Sequence, residues 1–154
     1  MTDAERPEIH EGGCQCGAVR YAVAGPLIRG HVCHCRMCQR ATGGLFAALI
    51  GQKRDRFAWT RGEPAFFASS NIADRGFCRD CGTPLSFAYR TGQTFYVTIG
   101  SLDAPELATI EDQFGIESRL PFVSFCEQVP GQATGEHDPS FFDGMESRQA
   151  PPGV

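Results

Sequence analysis

Seven of the eight cysteines in this 154-residue chain fall into three short clusters, which limits the folds it can adopt. The clusters are Cys14 and Cys16, then Cys33, Cys35 and Cys38, and finally Cys78 and Cys81. Seven thiols cannot all pair as disulfides, and such short spacings suit a metal ion better. Zinc takes four thiolates at a structural site, and three protein ligands plus an open position at a catalytic site. The pattern therefore predicts two zinc ions.

The bulk composition predicts one globular domain in a reducing compartment. Hydrophobic residues make up 42% of the chain, which is typical of a folded protein. The longest apolar run, Leu45–Ile50, is too short to cross a bilayer. The first residues show no apolar leader, so we expect a cytoplasmic protein without a membrane partner, whose clustered cysteines remain available to metal.

The charge distribution argues against a nucleic-acid partner. Residues 1–100 carry 12 basic and 8 acidic side chains, whereas residues 101–154 carry 2 basic and 10 acidic ones. Lys53 is the only lysine. An acidic protein without a basic tail is a poor general binder of nucleic acid.

Strand signals dominate the sequence and predict a mostly β, antiparallel fold with little helix. Short apolar or alternating stretches bounded by Gly and Pro indicate strands. They cover residues 19–23, 45–50, 57–59, 65–69, 84–89 and 94–99. The last two are predicted to form a hairpin, and the best short helix covers residues 36–41.

The predicted domain covers residues 10–129, between a tail at 1–9 and a tail at 130–154. The second tail is acidic and rich in Pro and Gly, so it is not expected to form its own core. Two interpretations are open: Phe141 and Phe142 dock it onto the domain, or it frays.

Two cysteine pairs could together form one closed site. In an extended strand, residues i and i+2 point to the same face, so Cys14 and Cys16 could present adjacent sulfurs. Cys78-Arg-Asp-Cys81-Gly82 resembles a zinc knuckle, in which Gly82 is free to take a positive φ. One ion would then link chain segments about sixty residues apart, and its binding would contribute to folding free energy.

The remaining trio, Cys33, Cys35 and Cys38, has three ligands and no obvious fourth. Three ligands and an open position describe a catalytic zinc, whereas a fourth protein ligand would make the site structural. The candidates for a fourth ligand are His10, His31, His34, His137 and Cys126. His34 lies between two ligands and should face away in a strand, and Cys126 is expected to be a lone buried thiol.

Three motifs give the chain a specific family resemblance. They are G-G-C-Q-C-G-A-V-R-Y (12–21), C-H-C-R-M-C-Q-R (33–40) and F-C-R-D-C-G-T-P-L (77–85). The chain resembles the glutathione-dependent formaldehyde-activating enzyme family, which includes centromere protein V. The stretch I-E-S-R-L-P-F (116–122) is similar to the family's E-S-R-x-P-W element, with Phe122 where Trp is usual.

The resemblance covers about residues 10–125 and implies an all-β, tent-like zinc fold. By matching position, it implies a structural zinc at Cys14, Cys16, Cys78 and Cys81. It likewise implies that Cys33, Cys35 and Cys38 hold a catalytic zinc.

The same resemblance implies a carbon–sulfur lyase that joins glutathione to formaldehyde as S-hydroxymethylglutathione, or cleaves that adduct. Glutathione carries two carboxylates, so its pocket should offer cations. Arg36 and Arg40 flank the trio and are the predicted anion-binding residues, with Arg20, Arg75 and Arg79 near other ligands. Aromatic side chains that could wall the pocket, or simply belong to the core, are Phe46, Trp59, Phe66 and Phe67.

Two other functions are compatible with the same cysteines. A zinc-stapled module could bind a macromolecule without catalysis, as the presence of centromere protein V in the family suggests. A redox or metal-buffering protein could use labile thiolates. Two zinc ions, one of them exchangeable by thiols, would favour the enzyme.

Overall fold

The computed structural model describes residues 8–124, 129–130, 133, 140, 143–144 and 146–154. The strands are β1 (Ile9–Gly13), β2 (Arg20–Ala24), β3 (Ile28–Cys33), β4 (Ala47–Lys53), β5 (Phe57–Arg61), β6 (Ala65–Ala68), β7 (Ala73–Phe77), β8 (Pro84–Tyr89), β9 (Thr94–Thr98) and β10 (Asp112–Phe114). The helix α1 covers Arg36–Thr42, and short 3-10 helices cover Arg54–Arg56, Ile99–Ser101, Pro105–Leu107 and Ile116–Ser118. No helix of the described segments has the length and apolar character needed to cross a membrane.

The strands form a small and a large sheet. The three-stranded sheet has the order β1-β2-β5, and the seven-stranded sheet has the order β10-β3-β4-β9-β8-β7-β6. All strand pairs are antiparallel except β10 and β3, which run parallel. The mostly β, antiparallel prediction is confirmed.

Each of the six predicted strand segments overlaps an observed strand, and the predicted helix coincides with α1. The predicted hairpin also forms, with Ser86 opposite Val97 and Phe87 opposite Tyr96. The strands β1, β3, β7 and β10 were not predicted. Their sequences, such as IHEGG and ADRGF, contain glycine and charged residues, which weaken a strand signal that depends on alternating hydrophobicity.

Among the described residues, the larger of two buried hydrophobic clusters contains one cysteine from each of the two pairs, and the smaller lies at the trio. Tyr21, Ile50 and Leu85 are almost completely buried, and Cys14 and Cys78 belong to the same cluster. The buried Tyr21 hydroxyl forms a 2.8 Å hydrogen bond with the Ser101 hydroxyl, so its polar end is satisfied.

The strand β10 brings a late segment of the chain to the cysteine trio. Gly30, in β3, lies so close to the Thr109 carbonyl that a side chain there would overlap it. This close approach lets the chain after residue 108 run beside β3, with Phe114 paired to Cys33. Residues 112–118 therefore flank the trio.

The described residues near the C-terminus contact the first cysteine pair. The Ala150 amide donates to the Gln15 carbonyl at 2.7 Å, and the Gly153 amide donates to Asp103 Oδ2 at 3.0 Å. Phe141 and Phe142, the predicted docking residues, lie outside the described part of the chain.

Candidate functional site

The first cysteine pair lies in a turn between β1 and β2. The Cys14 amide donates to the Val19 carbonyl and the Gly17 amide donates to the Cys14 carbonyl, both at 3.0 Å. The expectation that Cys14 and Cys16 occupy an extended strand is wrong, because β1 already ends at Gly13. A turn, rather than the alternation of a strand, brings these two sulfurs together.

The second pair forms the predicted knuckle. Gly82 has a φ of +77°, a conformation that costs glycine nothing. Its amide donates to the Cys78 carbonyl at 2.8 Å, while the Cys78 amide donates to the Thr83 carbonyl at 3.0 Å. The turn thereby places the Cys78 and Cys81 sulfurs on one side.

The two turns are joined by hydrogen bonds, which fix the positions of the two cysteine pairs relative to each other. The Gln15 amide donates to Thr83 Oγ1 at 3.1 Å, and Gln15 Nε2 donates to the Cys81 carbonyl at 3.2 Å. The Val19 amide donates to Cys14 Sγ at 3.2 Å. Hydrogen bonds from backbone amides are a usual outer support of metal-bound thiolates.

The sulfur positions fit one tetrahedral metal ion. All four sulfurs lie within 4.8 Å of one another, with Cys14 Sγ and Cys16 Sγ 3.5 Å apart and Cys16 Sγ and Cys78 Sγ 3.8 Å apart. A tetrahedral zinc with Zn–S bonds of about 2.3 Å spaces its sulfurs about 3.8 Å apart. These distances are far from the roughly 2.05 Å of a disulfide.

The trio is assembled where β3 passes into α1. Cys33 ends β3, Cys35 is the N-cap of α1 and Cys38 is in its first turn. The Cys38 amide donates to Cys35 Sγ at 3.4 Å, and Cys33 Sγ lies 3.4 Å from Cys35 Sγ. All three sulfurs lie within 4.8 Å of one another, so they could also hold one ion.

Polar side chains behind the trio hold its backbone in place. Gln39 Nε2 donates to the His34 carbonyl at 2.8 Å and to the Ser118 carbonyl at 3.1 Å. His34 is buried, with Nε2 3.0 Å from Gln113 Oε1. Gly115 packs so closely that a side chain would come within 2.7 Å of the Cys35 amide nitrogen. The residues following β10 thus fix the trio from behind.

The thiols differ in their tendency to ionise. Burial raises the pKa of the Cys33 thiol to about 12. Burial also opposes ionisation of Cys35 and Cys81, but hydrogen bonds outweigh it. The Cys38 amide and neighbouring thiols lower the pKa of Cys35, and the Thr83 hydroxyl and amide lower that of Cys81 to about 6. Hydrogen bonds thus favour the thiolate form of Cys35 in one cluster and of Cys81 in the other, which is the form that a metal binds.

Among the described residues, no histidine or carboxylate joins the trio. His31 lines the adjoining cavity, but its Nδ1 lies 2.9 Å from the Arg29 carbonyl. His34 is buried and is not part of the trio's cluster, although it lies after the end of β3 and not in a strand as expected. His10 lies in β1 beside Glu8. The other two candidates, His137 and Cys126, lie outside the described residues.

A cavity of about 440 Å³ opens beside the trio. Its walls come mainly from one face of the large sheet, where Arg75, Phe87 and Tyr96 are direct cross-strand neighbours. Arg75 Nη2 donates to Cys38 Sγ at 3.2 Å, and its Nε donates to Ser69 Oγ at 3.0 Å. A fixed positive charge therefore touches the thiol cluster.

The predicted anion-binding arginines do not line this cavity. Arg36 and Arg40 are exposed on α1, and Arg36 donates to Gln39 Oε1. The arginine that lines the cavity is Arg75. From the sequence it was expected only to lie near the ligands of the other cysteine cluster. Its location becomes evident only from the pairing of β7 with β8.

The four aromatic residues considered from the sequence also lie elsewhere. Phe46 packs on His34, and Trp59 packs in the core against Tyr21. Phe66 and Phe67 are largely exposed on β6 and do not line the cavity. The rings that do line it are His31, Phe87, Tyr89, Tyr96 and Phe114. The alternating sequence of β8 and β9 indicated that Phe87 and Tyr96 lie in strands. It did not indicate which face of the sheet would lie next to the trio.

The fold and the two cysteine clusters define a mostly β protein with two candidate metal sites, one of which opens into a cavity. Residues 9–116 match the model of the glutathione-dependent formaldehyde-activating enzyme family. The chain belongs to this family.

One relative supports this assignment, and one solved structure shares the fold. The chain is 31% identical over 121 residues to Uncharacterized lyase C29B12.13 of Schizosaccharomyces pombe, covering 78% of this chain and 88% of the relative. A crystal structure of a Rhodobacter sphaeroides protein matches with a TM-score of 0.54 and 23% identity, covering 67% of this chain and 98% of that one. The structural match concerns the fold, and the family supports a lyase-type enzyme.

Proposed function

We propose that this protein is a zinc-dependent carbon–sulfur lyase that joins a small thiol to a small aldehyde and also cleaves the adduct. The family's pair, glutathione and formaldehyde, gives S-hydroxymethylglutathione. One observation carries the proposal: the trio of Cys33, Cys35 and Cys38 opens into a cavity, whereas the other four cysteines face each other across two joined turns.

Two zinc ions are proposed as cofactors. Cys14, Cys16, Cys78 and Cys81 would hold the structural ion, and Cys33, Cys35 and Cys38 the catalytic one. When bound at the trio, zinc would favour the thiolate form of an incoming thiol and polarise the aldehyde oxygen. Both clusters offer only cysteine sulfurs, which are ligands that zinc commonly takes, and their spacing suits one ion each.

The reaction is an addition without net oxidation. The thiol sulfur forms a bond to the carbonyl carbon, and the C=O π electrons move to the oxygen. That oxygen takes up the proton released by the thiol. The reverse reaction breaks the same carbon–sulfur bond and returns the proton to sulfur.

Arg75 is proposed to balance the charge of the trio. Three thiolates and one Zn²⁺ would have a net charge of −1. This charge would weaken the attraction of the zinc ion for an electron pair of the substrate. The Arg75 guanidinium touches Cys38 Sγ and lies over the Phe87 ring, 4.8 Å from its centroid. A charge-assisted hydrogen bond to a thiolate reduces its electron donation, so Arg75 supports substrate activation and orients Cys38.

The cavity walls are proposed to shield the reacting atoms from water. Leu49 lines the cavity and is buried, and Phe87 and Tyr96 are half-buried on the sheet. Excluding water strengthens the electrostatic effect of the nearby charges.

The test is a paired measurement of zinc content and adduct turnover in the wild type and in Cys35→Ser. We expect wild type to hold two zinc ions and to form and cleave S-hydroxymethylglutathione. Cys35→Ser should lose turnover and one zinc while keeping the other. Cys126→Ser addresses the remaining cysteine candidate for a fourth ligand, and it should retain both properties if the trio keeps an open position. The matched control is Leu107→Ser, an exposed residue outside both clusters and the cavity.

A wild-type protein that holds two inert zinc ions and turns over no thiol–aldehyde adduct would contradict the enzyme proposal. That result would favour the zinc-stapled binding module.

A further inference from the structure

We propose that the thiol accepted by this site has an apolar body, such as an aromatic ring, and at most one carboxylate, and that it is preferred over glutathione. This inference rests on the proposed function, because it assumes that a thiol reaches the trio. It concerns the body of the thiol, which the cavity walls contact, and not its sulfur.

The walls next to the trio are largely rings. The T-shaped contacts of His31 with Tyr96 and with Phe114 have centroid distances of 5.3 and 5.0 Å. Phe87, the cross-strand neighbour of Tyr96, contacts Tyr89 with a centroid distance of 5.0 Å. An aromatic ligand could add further edge-to-face contacts to such a set.

The rim of the cavity is also apolar and is exposed. Met37 and Ile72 are each 56% exposed, Phe114 is 51% exposed and Tyr89 is 47% exposed. They add exposed apolar side chains to the rings that line the same cavity. Exposed apolar side chains clustered at the mouth of a cavity indicate a surface that a ligand covers.

Charged partners in the cavity are scarce. Of the described residues that line it, Arg75 alone is always charged, and no carboxylate is present. Two of the five guanidinium N–H groups already bond to Ser69 and Cys38. The remaining donors suffice for one carboxylate, which arginine binds with two parallel hydrogen bonds.

Glutathione does not match this lining. It carries two carboxylates, an ammonium group and two amides. Beyond the trio, the charged groups among the described lining residues are limited to one guanidinium, with no carboxylate partner for the ammonium, and the neutral polar partners include the hydroxyls of Ser69, Ser70, Tyr89 and Tyr96. Polar groups that enter an apolar cavity without hydrogen-bond partners lose their hydration without compensation.

A neighbouring cavity supplies the strongest competing explanation. It has a volume of about 400 Å³, shares the His31, Tyr96 and Phe114 rings, and is lined by Arg29, Glu111 and Asp112. The charged ends of a peptide thiol would have to bind there. Arg29→Ala therefore tests whether the polar cavity takes part in binding.

The experiment is a calorimetric titration of the zinc-loaded full chain with phenylmethanethiol, 3-mercaptopropionate and glutathione. The cobalt-loaded chain is titrated in parallel, because thiolate coordination changes its visible spectrum. We expect phenylmethanethiol to bind at least about tenfold more tightly than glutathione, since burial of apolar area is the main gain. Each bound thiol should also change the cobalt spectrum.

Variants at the rim then locate the binding surface. Met37→Ser and Ile72→Ser should each weaken phenylmethanethiol about threefold to tenfold and change glutathione affinity less. Leu107→Ser is the matched control, because Leu107 is similarly exposed at 58% but does not line the cavity. It should change neither affinity, and Arg29→Ala should leave phenylmethanethiol unchanged.

Two outcomes would overturn the inference, and they are distinguishable. If glutathione binds as tightly as phenylmethanethiol or more tightly and changes the cobalt spectrum, only the substrate class is wrong. Loss of that binding in Arg29→Ala would then assign the charged ends of glutathione to the neighbouring cavity. If no thiol changes the cobalt spectrum, the open thiol-binding site itself is wrong, and the proposed function fails with it.

Discussion

The two cysteine clusters use the same ligand atom but are built differently. The four-cysteine cluster joins two turns that are about sixty residues apart in sequence, and Cys14 and Cys78 are part of the buried core. The three-cysteine cluster uses residues 33–38, at one strand–helix junction, and faces a cavity. Burial does not separate the clusters, since Cys16 is exposed and Cys38 is buried. Sequence separation thus suits one cluster to stability, while local ligands and an adjoining cavity suit the other to exchange and chemistry.

Loop closure gives this difference a physical basis. A cross-link between distant residues removes more conformational freedom from the unfolded chain than a cross-link within one short segment. A metal at the four-cysteine cluster should therefore stabilise the whole fold, whereas a metal at the trio should stabilise mainly the start of α1.

The largest expected effect is that of Cys78→Ser. Structural zinc contributes on the order of 10 kcal/mol to folding at neutral pH, so loss of one fully buried ligand should lower the free energy of unfolding by several kcal/mol. Thermal unfolding and zinc content would be measured together. Cys38→Ser is the matched control in the other cluster and should shift the melting temperature much less.

An equal loss of stability in both variants would contradict the expectation that the four-cysteine site stabilises the fold more than the trio does. An unchanged melting temperature and zinc content in Cys78→Ser would refute the four-cysteine site itself.

Metal removal should proceed in two phases. The trio is expected to release zinc first to a chelator or to excess thiol, because one side of it is open to the cavity. The four-cysteine ion should leave later, together with cooperative unfolding. Chelator titration followed by a zinc-sensitive dye and by circular dichroism would separate the phases. Simultaneous release with unfolding would show that the sites do not differ in this way.

A smaller effect is expected from the ion pair next to the four-cysteine cluster. Arg20 binds Asp103 through two hydrogen bonds, and only 9% and 21% of these side chains are exposed. The hydrogen bonds from Arg20 lower the pKa of Asp103. Asp103→Asn should lower the free energy of unfolding at neutral pH by about 1–3 kcal/mol, between the values for exposed and buried pairs.

The pH dependence follows from the sign of that shift. A carboxylate with a lowered pKa stabilises the fold fully above its unfolded value of about 4, and this contribution disappears as the pH falls through the lowered value. Wild type should therefore lose stability on acidification more steeply than Asp103→Asn. If the free energy of unfolding fell equally with pH in the two proteins between neutral pH and about pH 3, the stabilising role of the Asp103 carboxylate would be contradicted.

The sequence was most informative where chemistry depends on local spacing. The knuckle at Gly82, the trio at residues 33–38 and the helix at residues 36–41 are each set by neighbours in the chain. The joining of the two distant cysteine pairs was inferred instead from the four ligands that a structural zinc needs. The cavity walls were not predictable in the same way. Arg75, Phe87 and Tyr96 become neighbours only through the register of three strands, and register depends on tertiary packing.

The arginines show the same division between sequence proximity and spatial proximity. Arg36 and Arg40 flank the trio in sequence but are exposed outside the cavity, whereas Arg75 is remote in sequence and touches Cys38. A binding role for Arg36 and Arg40 remains a prediction, and the geometry favours Arg75 as the anion partner.

The smallest effects should therefore separate these three arginines. Arg75→Gln should weaken binding of 3-mercaptopropionate by about 1–2 kcal/mol, because a charge-assisted hydrogen bond to the carboxylate is lost. It should affect phenylmethanethiol, which has no carboxylate, less. Arg36→Ala and Arg40→Ala are the matched controls: as exposed substitutions they should change stability by less than about 0.5 kcal/mol and leave both affinities nearly unchanged. The affinity of each variant for 3-mercaptopropionate would be measured by calorimetric titration. A larger loss of affinity in Arg36→Ala or Arg40→Ala than in Arg75→Gln would show that the carboxylate binds at α1 and not at Arg75.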